Sequence, residues 1–230
     1  MVEGDSDADL WKALTRHAGL TDVVTVKSLN GTSGITPLTI QAQLLELGRT
    51  NPSFCVGVVV DADTDTPARC FNRYRNKFRT ANSGLPLPKA NGGVSKLRAT
   101  TIAGMSTPCT VRTGVLALPT DSPGEHEKLV WQYLSDEAPA LTAALSDSFD
   151  EVLRVDLPRE PSTVPQRVTA SRQKREKILV HMAGAVGVFA GRTPLKATVR
   201  LSDTYGSSFW DWTHQAFEPL ITFLQEMVAP

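Results

Sequence analysis

Two rhythms of apolar and polar positions run through residues 1–136, and only one of them continues to residue 230. The first is helical. Leu10, Trp11, Leu14 and Ala18 share one side of a predicted helix that Ser6 or Asp7 can cap and that Gly19 stops. Leu38, Ile40, Leu44, Leu45 and Leu47 predict a second over 37–47, opened by Pro37 and ended by Gly48. A third starts at Thr66-Pro67: Phe71, Tyr74 and Phe78 recur at i, i+3 and i+7, while Arg69, Arg73 and Lys77 recur every fourth residue on another face. A fourth, over 125–134, turns Leu129, Val130 and Tyr133 inward.

The second rhythm is that of strands. Residues 23–29 alternate weakly and are rich in β-branched types until Asn30-Gly31-Thr32-Ser33-Gly34 breaks them. Residues 54–60 are nearly all apolar, as in a strand buried on both faces by helices. Strand character returns over 109–118 and ends in the turn Pro119-Thr120-Asp121-Ser122-Pro123-Gly124, whereas 81–107 reads as loops with at most one short strand. Strands alternating with helices imply an α/β fold with a mostly parallel sheet flanked by helices. Beyond Asp136 only helices are predicted, over 141–152, 167–186 and 209–228, with a Pro-rich break at 158–165. The expected organisation is an α/β core over 1–136 and a C-terminal helical extension over 137–230 that packs on it. The last helix carries Trp210, Trp212, Phe217, Leu220, Phe223 and Leu224, enough apolar mass to dock.

Composition narrows the functional classes. The 24 basic and 24 acidic residues cancel, so no global field draws the chain to nucleic acid or anionic lipid, and any such affinity has to come from local patches. Cys55, Cys70 and Cys109 are odd in number and form no C-x-x-C, which argues against a disulfide framework or a zinc site and for a reducing compartment. No apolar stretch approaches the roughly 20 residues of a membrane span, and the first residues are acidic where a signal peptide would be basic. A cytoplasmic protein without a membrane partner is expected.

The candidate chemistry lies at the end of the apolar strand, in Asp61-Ala62-Asp63-Thr64-Asp65. Alternate side chains of an extended strand share a face, so Asp61 and Asp63 can chelate one cation. Ligands of open α/β sheets bind outside the carboxyl ends of the strands, and a Glu3-Gly4 turn between a first strand and a first helix brings a third carboxylate to that edge. Mg²⁺, which keeps waters and substrate phosphate oxygens in its shell, suits so modest a set; Mn²⁺ is the alternative.

Val2-Glu3-Gly4 followed by Asp61-Ala62-Asp63 behind a valine-rich strand resembles the Toprim domain of topoisomerases, primases and related nucleases. More closely, Val2-Glu3-Gly4 with Asp7, residues 58–63, and Pro119, Asp121, Gly124 and Glu127 are similar to a stand-alone bacterial and archaeal Toprim-like family without an assigned function, and distantly to OLD-family nucleases. Lys174 or Lys177, and Phe209-Trp210-Asp211-Trp212 in the last helix, extend the likeness over nearly the whole chain. The resemblance implies a Toprim-like fold and a divalent-metal-dependent phosphodiester-processing protein, a DNA or RNA nuclease. Glu3 would be a metal ligand or general acid–base, Asp61 and Asp63 would hold the metal, and Asp7 would complete a second position. Glu127 is a further candidate ligand, Asp65 a lesser one, and Lys177 would stand near the scissile phosphate. Two metals about 4 Å apart would clamp the attacking and leaving oxygens. The alternative is a metal-dependent nucleic-acid or nucleotide binding module that acts beside a protein partner without cutting.

One departure from the family pattern is that only Met1 and Val2 precede Glu3, too few for a central strand, so a start upstream of Met1 and a weakly anchored Glu3 are expected. Other features keep two readings. Asp65 before Thr66-Pro67 suits a helix cap better than a ligand. The basic face of Arg69, Arg73 and Lys77, joined by Arg75 and Arg79, fits phosphate contact and a solvated helix equally. Trp210 and Trp212 suit core packing more than base stacking. His17, His126, His181 and His214 lack metal-ligand spacing and read as structural or exposed, with His126 set apart only by its place between Glu125 and Glu127.

Overall fold

The computed structural model describes residues 1–29, 31, 34–154, 175–185 and 210–230. Asn30, Thr32, Ser33, the Pro-rich break at 158–165, Lys174 and Phe209 lie outside the described residues. The chain is a mixed α/β protein that divides into two compact units, Met1–Pro123 together with Glu218–Pro230, and Gly124–Phe217.

In the first unit β1 (Ser53–Asp61) and β3 (Cys109–Leu118) run parallel, in register from Ser53↔Thr110 to Asp61↔Leu118. β2 (Arg98–Thr100) pairs antiparallel with the other edge of β3, so the order is β1-β3-β2. On the free side of β1, Val2 forms a parallel bridge to Val59 and another to Ser28. Met1–Glu3 therefore acts as a short strand between two neighbours. Its backbone is held by Val59 N–H to Met1 O (2.9 Å), Val2 N–H to Lys27 O (2.9 Å) and Leu29 N–H to Val2 O (3.1 Å). The expectation of a weakly anchored Glu3 is corrected: two residues suffice because both flanks pair with them.

Side-chain alternation sends the two faces of β1 to different helices. Val56, Val58 and Val60 join a core with Ile40 and Leu44 of α2 (Pro37–Thr50) and with Cys70, Phe71, Tyr74 and Phe78 of α3 (Pro67–Ala81). The opposite face carries Gly57, paired with Gly114 of β3. A Cβ on Gly57 would lie 3.2 Å from the Phe223 ring of the C-terminal helix (Glu218–Val228), so this glycine rung is a seat for that ring. Trp11 of α1 (Asp5–His17) meets Phe223 edge-on at 6.2 Å. Arg112 of β3, buried, donates to the carbonyls of Glu226 (2.9 Å) and Ala229 at the end of the same helix, where unpaired acceptors and the helix dipole favour a cation.

The helix-capping expectations change in detail. Gly4 is the N-cap of α1, and Asp7 sits inside the first turn, its carboxylate accepting from Gly4 N–H at 2.8 Å. The helix ends before Gly19, whose φ of +68° is the left-handed conformation expected of it. Gly48 does not stop α2, which runs to Thr50; a Cβ there would meet Met105 Sδ at 2.7 Å, so the glycine serves close packing. Thr66, not Asp65, caps α3 by accepting from Arg69 N–H. Of the predicted strand over 23–29 Ser28 alone is bridged as a strand; Val23, 69% exposed, lies in a turn, its N–H donating to Leu20 O at 3.1 Å.

The second unit contains α4 (Glu127–Glu137), α5 (Pro139–Arg154) and α6 (Arg175–Ala185), followed by a 3₁₀ turn (Gln215–Phe217). Tyr133 stacks on Trp210 with centroids 5.5 Å apart, lies 5.4 Å from the Phe217 ring and accepts from Asp211 N–H through its hydroxyl. Trp210 and Trp212 are buried in this aromatic cluster, which is the core-packing reading of the pair. They precede the last helix instead of lying in it: of the helix predicted over 209–228, Trp210 to His214 are irregular and the α-helix starts only at Glu218. Asp211 accounts for the difference, since its carboxylate accepts from Thr213 N–H in a local turn that competes with helix.

Candidate metal centre

β1 delivers Asp61 at its last position, at the carboxyl end of a strand buried on both faces. The chain then leaves the strand. Asp63 has φ +52°, a left-handed conformation that Asp tolerates better than most residues, and Asp65 N–H closes a turn on Ala62 O. Asp63 therefore lies in a turn, and the strand alternation expected to align it with Asp61 ends at Asp61. Glu3 arrives from the adjacent Met1–Glu3 segment, its carbonyl accepting from Gly31 N–H, where a φ of +96° requires glycine. Asp7 follows one turn into α1, and one of its carboxylate oxygens lies within 4.8 Å of one from Asp61. Glu3, Asp7 and Asp61 are half-buried and Asp63 is exposed.

Beneath these acids lies one side of α3. Tyr74, wholly buried, donates its hydroxyl to Glu3 Oε1 at 3.1 Å. Cys70, one turn earlier, is also wholly buried and donates its thiol to the Asp61 carbonyl at 3.6 Å. Burial pushes the Cys70 thiol up to about 12, and the carboxylates of Glu3, Asp63 and Asp61 push it the same way. Three carboxylates thus act on one sulfur. Burial and the Glu3 carboxylate likewise raise the Tyr74 hydroxyl above the usual phenol range. Lys77 lies 4.1 Å over the Tyr74 ring and donates to Ile35 O at 2.7 Å. Its ammonium is shifted below the usual lysine range by burial and by Arg73, with Glu3 opposing the shift.

Asp7 and Asp61 bring carboxylate oxygens within 4.8 Å of one another at a sheet edge, and oxygen donors of this kind suit a hard divalent cation; Glu3 and Asp63 lie near enough to act on the Cys70 thiol. Asp65 is engaged elsewhere, paired with Arg73 and 3.8 Å from Arg69. Sequence reasoning missed Cys70, Tyr74 and Lys77 as members of this constellation. Their i, i+4, i+7 spacing on the helix that follows Asp-x-Asp was the available signal, but it overlaps the apolar stripe of Phe71, Tyr74 and Phe78.

Glu127 and Lys177 belong to the second unit. Glu125 and Glu127 bring carboxylate oxygens within 4.8 Å of each other, and Lys177 Nζ pairs with Glu125 and stands 3.2 Å from Glu127 Oε1. Burial disfavours the Lys177 ammonium, yet its hydrogen bond to Glu125 and the two carboxylate charges outweigh that and raise it above the usual lysine range. Glu127 is 5% exposed; its Oε2 makes no hydrogen bond among the described residues and lies 3.5 Å from Nδ1 of the buried His126. His214 Nε2 is 3.4 Å from Asp136, His17 is exposed, and the His181 side chain lies outside the described residues.

Fold and edge together define a mixed α/β protein with a carboxylate cluster at the carboxyl end of a parallel strand. The chain belongs to the family described as "Protein of unknown function (DUF3226)", whose model matches residues 1–229. Among curated proteins and among solved structures nothing matches. Among the described residues no helix is long and apolar enough to cross a membrane.

Proposed function

We propose that this is a Toprim-like, divalent-metal-dependent phosphodiester-processing protein acting on DNA or RNA, with Mg²⁺ or Mn²⁺ held by Asp61 and Asp7, and Asp63 and Glu3 completing the set. The observation that carries the reading is the approach of Asp7 to within 4.8 Å of Asp61 at the end of β1, with Glu3 and Asp63 near enough to act on the Cys70 thiol. When bound, the cation would supply Lewis-acid stabilisation to phosphodiester oxygens. The protein's own part is positional. Tyr74 holds Glu3 Oε1, and the Gly4 amide fixes one oxygen of Asp7. Glu3, half-buried and beside the acids of β1, is placed to hold or move a proton in general acid–base work.

The test is incubation of the protein with labelled single- and double-stranded DNA and RNA in Mg²⁺ or Mn²⁺, beside Glu3→Ala and Asp61→Ala. Cleavage by the wild type and its loss in both variants is expected. A second reading, a metal-dependent binding module that works with a partner and does not cut, is favoured by Lys177: its ammonium is committed to Glu125 and Glu127, which leaves it poorly disposed to stabilise a phosphate. Binding without cleavage under either metal selects that reading, and absence of both binding and metal uptake discards the phosphodiester chemistry.

A further inference from the structure

We propose that the solvent side of α3 is a track for a nucleic-acid backbone, on which Arg69, Arg73 and Arg79, with Asn72 and Asn76 between them, hold successive phosphates of a strand that starts at the Asp61–Asp63 edge. The proposal rests on the phosphodiester reading of that edge and names the surface that would present the substrate to it.

Charge is segregated onto α3. A chain with no net charge places five basic residues and no acidic one in the 15 residues Pro67–Ala81. Arg69, Arg73 and Lys77 stand at i, i+4 and i+8, a spacing at which like charges destabilise a helix by a few tenths of a kcal/mol per pair. The repulsion is felt locally, because Arg73 is one of the causes that shift Lys77 downward. Little in the fold relieves it. Among the described residues Asp65 is the one carboxylate ion-paired with these cations; it pairs closely with Arg73 and lies 3.8 Å from Arg69, whose side chain is 80% exposed. Arg75 and Lys77 donate to the backbone carbonyls of Pro88 and Ile35, and Arg79 is exposed with no ion pair among the described residues. A bound polyanion would relieve this excess.

The shape of the row selects the partner. A small anion needs donors that converge, whereas these lie along a helix with a rise of about 6 Å for every four residues. A helix of this length spans about 22 Å, the reach of roughly six stacked nucleotides. A helix that inserts into a membrane interface carries large apolar side chains opposite and among its cations. The large exposed apolar residues, Val23, Leu38, Leu97 and Val228, all lie outside α3. The exposed Asn72 and Asn76 add neutral donors and acceptors without opposing charge. Finally, α3 begins four residues after Asp63, so the row starts next to the acids that would act on the strand.

The experiment is fluorescence anisotropy of labelled 20-mers, single- and double-stranded, DNA and RNA, titrated in EDTA over a range of salt. Wild type is compared with Arg69→Gln/Arg79→Gln and with Lys12→Gln, an exposed charge on α1, all checked by circular dichroism. At low salt the double variant should bind at least tenfold more weakly than wild type. Its log K–log salt slope on single strands should fall by about 1.4, two phosphates' worth, while Lys12→Gln should match wild type. Equal binding by the double variant and wild type overturns the track and leaves the phosphodiester reading standing. Equal losses in both variants also overturn it, since the field would then be diffuse. If no oligonucleotide binds wild type, the track falls, and a Mn²⁺ titration of the same sample decides separately whether the carboxylate edge takes metal.

Discussion

Cys70 and Tyr74 show what the acidic edge does to its supports. The Cys70 thiol is held up to about 12 by burial and by Glu3, Asp63 and Asp61, against about 8.5 in an unfolded chain. Between those values the unfolded state releases the proton and the folded state keeps it, so the unfolded state binds fewer protons and stability falls as pH rises. The contribution is intact below pH 8.5 and is lost toward 12, with a slope of up to about 1.4 kcal/mol per pH unit. Urea unfolding of wild type and Cys70→Ala between pH 8.5 and 10 should show a shallower decline in the variant; parallel declines would sink this account. Tyr74→Phe removes the hydroxyl on Glu3 Oε1 and should cost about 1 kcal/mol of stability. It should also weaken Mn²⁺ binding several-fold by calorimetry, because Glu3 loses its fixed rotamer. Asp61 and Asp63 were legible in the sequence as acids ending an apolar run. The turn between them was not, because nothing in Asp-Ala-Asp announces that Asp63 turns left-handed.

Among the elements, the β1–β3 pair was legible almost to the residue, since unbroken apolar runs bounded by turn residues have few other solutions. Elements decided by tertiary contact were not. Gly48 looks like a stop until Met105 is seen against it, and the last helix starts late because Asp211 bonds locally. The Gly57–Gly114 rung is the same lesson inside a strand. Local propensity favours Ala over Gly there by about 0.5–1 kcal/mol. Packing opposes it: a Cβ on Gly114 would stand 2.6 Å from Met227 Sδ and 2.8 Å from the Phe223 ring, while one on Gly57 would stand 3.2 Å from that ring. Overpacking of this kind costs about 1–3 kcal/mol, so packing wins. Gly114→Ala should lower the urea midpoint clearly, and Gly57→Ala less. The reverse order would mean that Phe223 is not seated on this rung.

For the molecule as a whole, the carboxylate edge sets stability against function. Asp7 and Asp61 bring oxygens within 4.8 Å, with Glu3 and Asp63 near the same thiol, and such a cluster repels itself when no cation balances it. At a wetted edge each close carboxylate pair costs about 1 kcal/mol, a little more where burial lowers the local dielectric. Asp61→Asn removes one charge while keeping the side chain's shape, so in EDTA the variant should unfold at a higher temperature than wild type. A cation that binds only the folded state adds about 2.7 kcal/mol at a concentration of 100 Kd, more than the repulsion it cancels. With Mn²⁺ the order must therefore invert: wild type gains and overtakes, and Asp61→Asn stays where it was. Thermal unfolding of both proteins, each with EDTA and with Mn²⁺, reads the four values directly. A wild type indifferent to Mn²⁺, or a variant that gains as much as wild type, would show that the acids are a solvated strand end. The inversion cannot arise from a merely structural role for Asp61, because loss of a structural hydrogen bond lowers stability with or without metal.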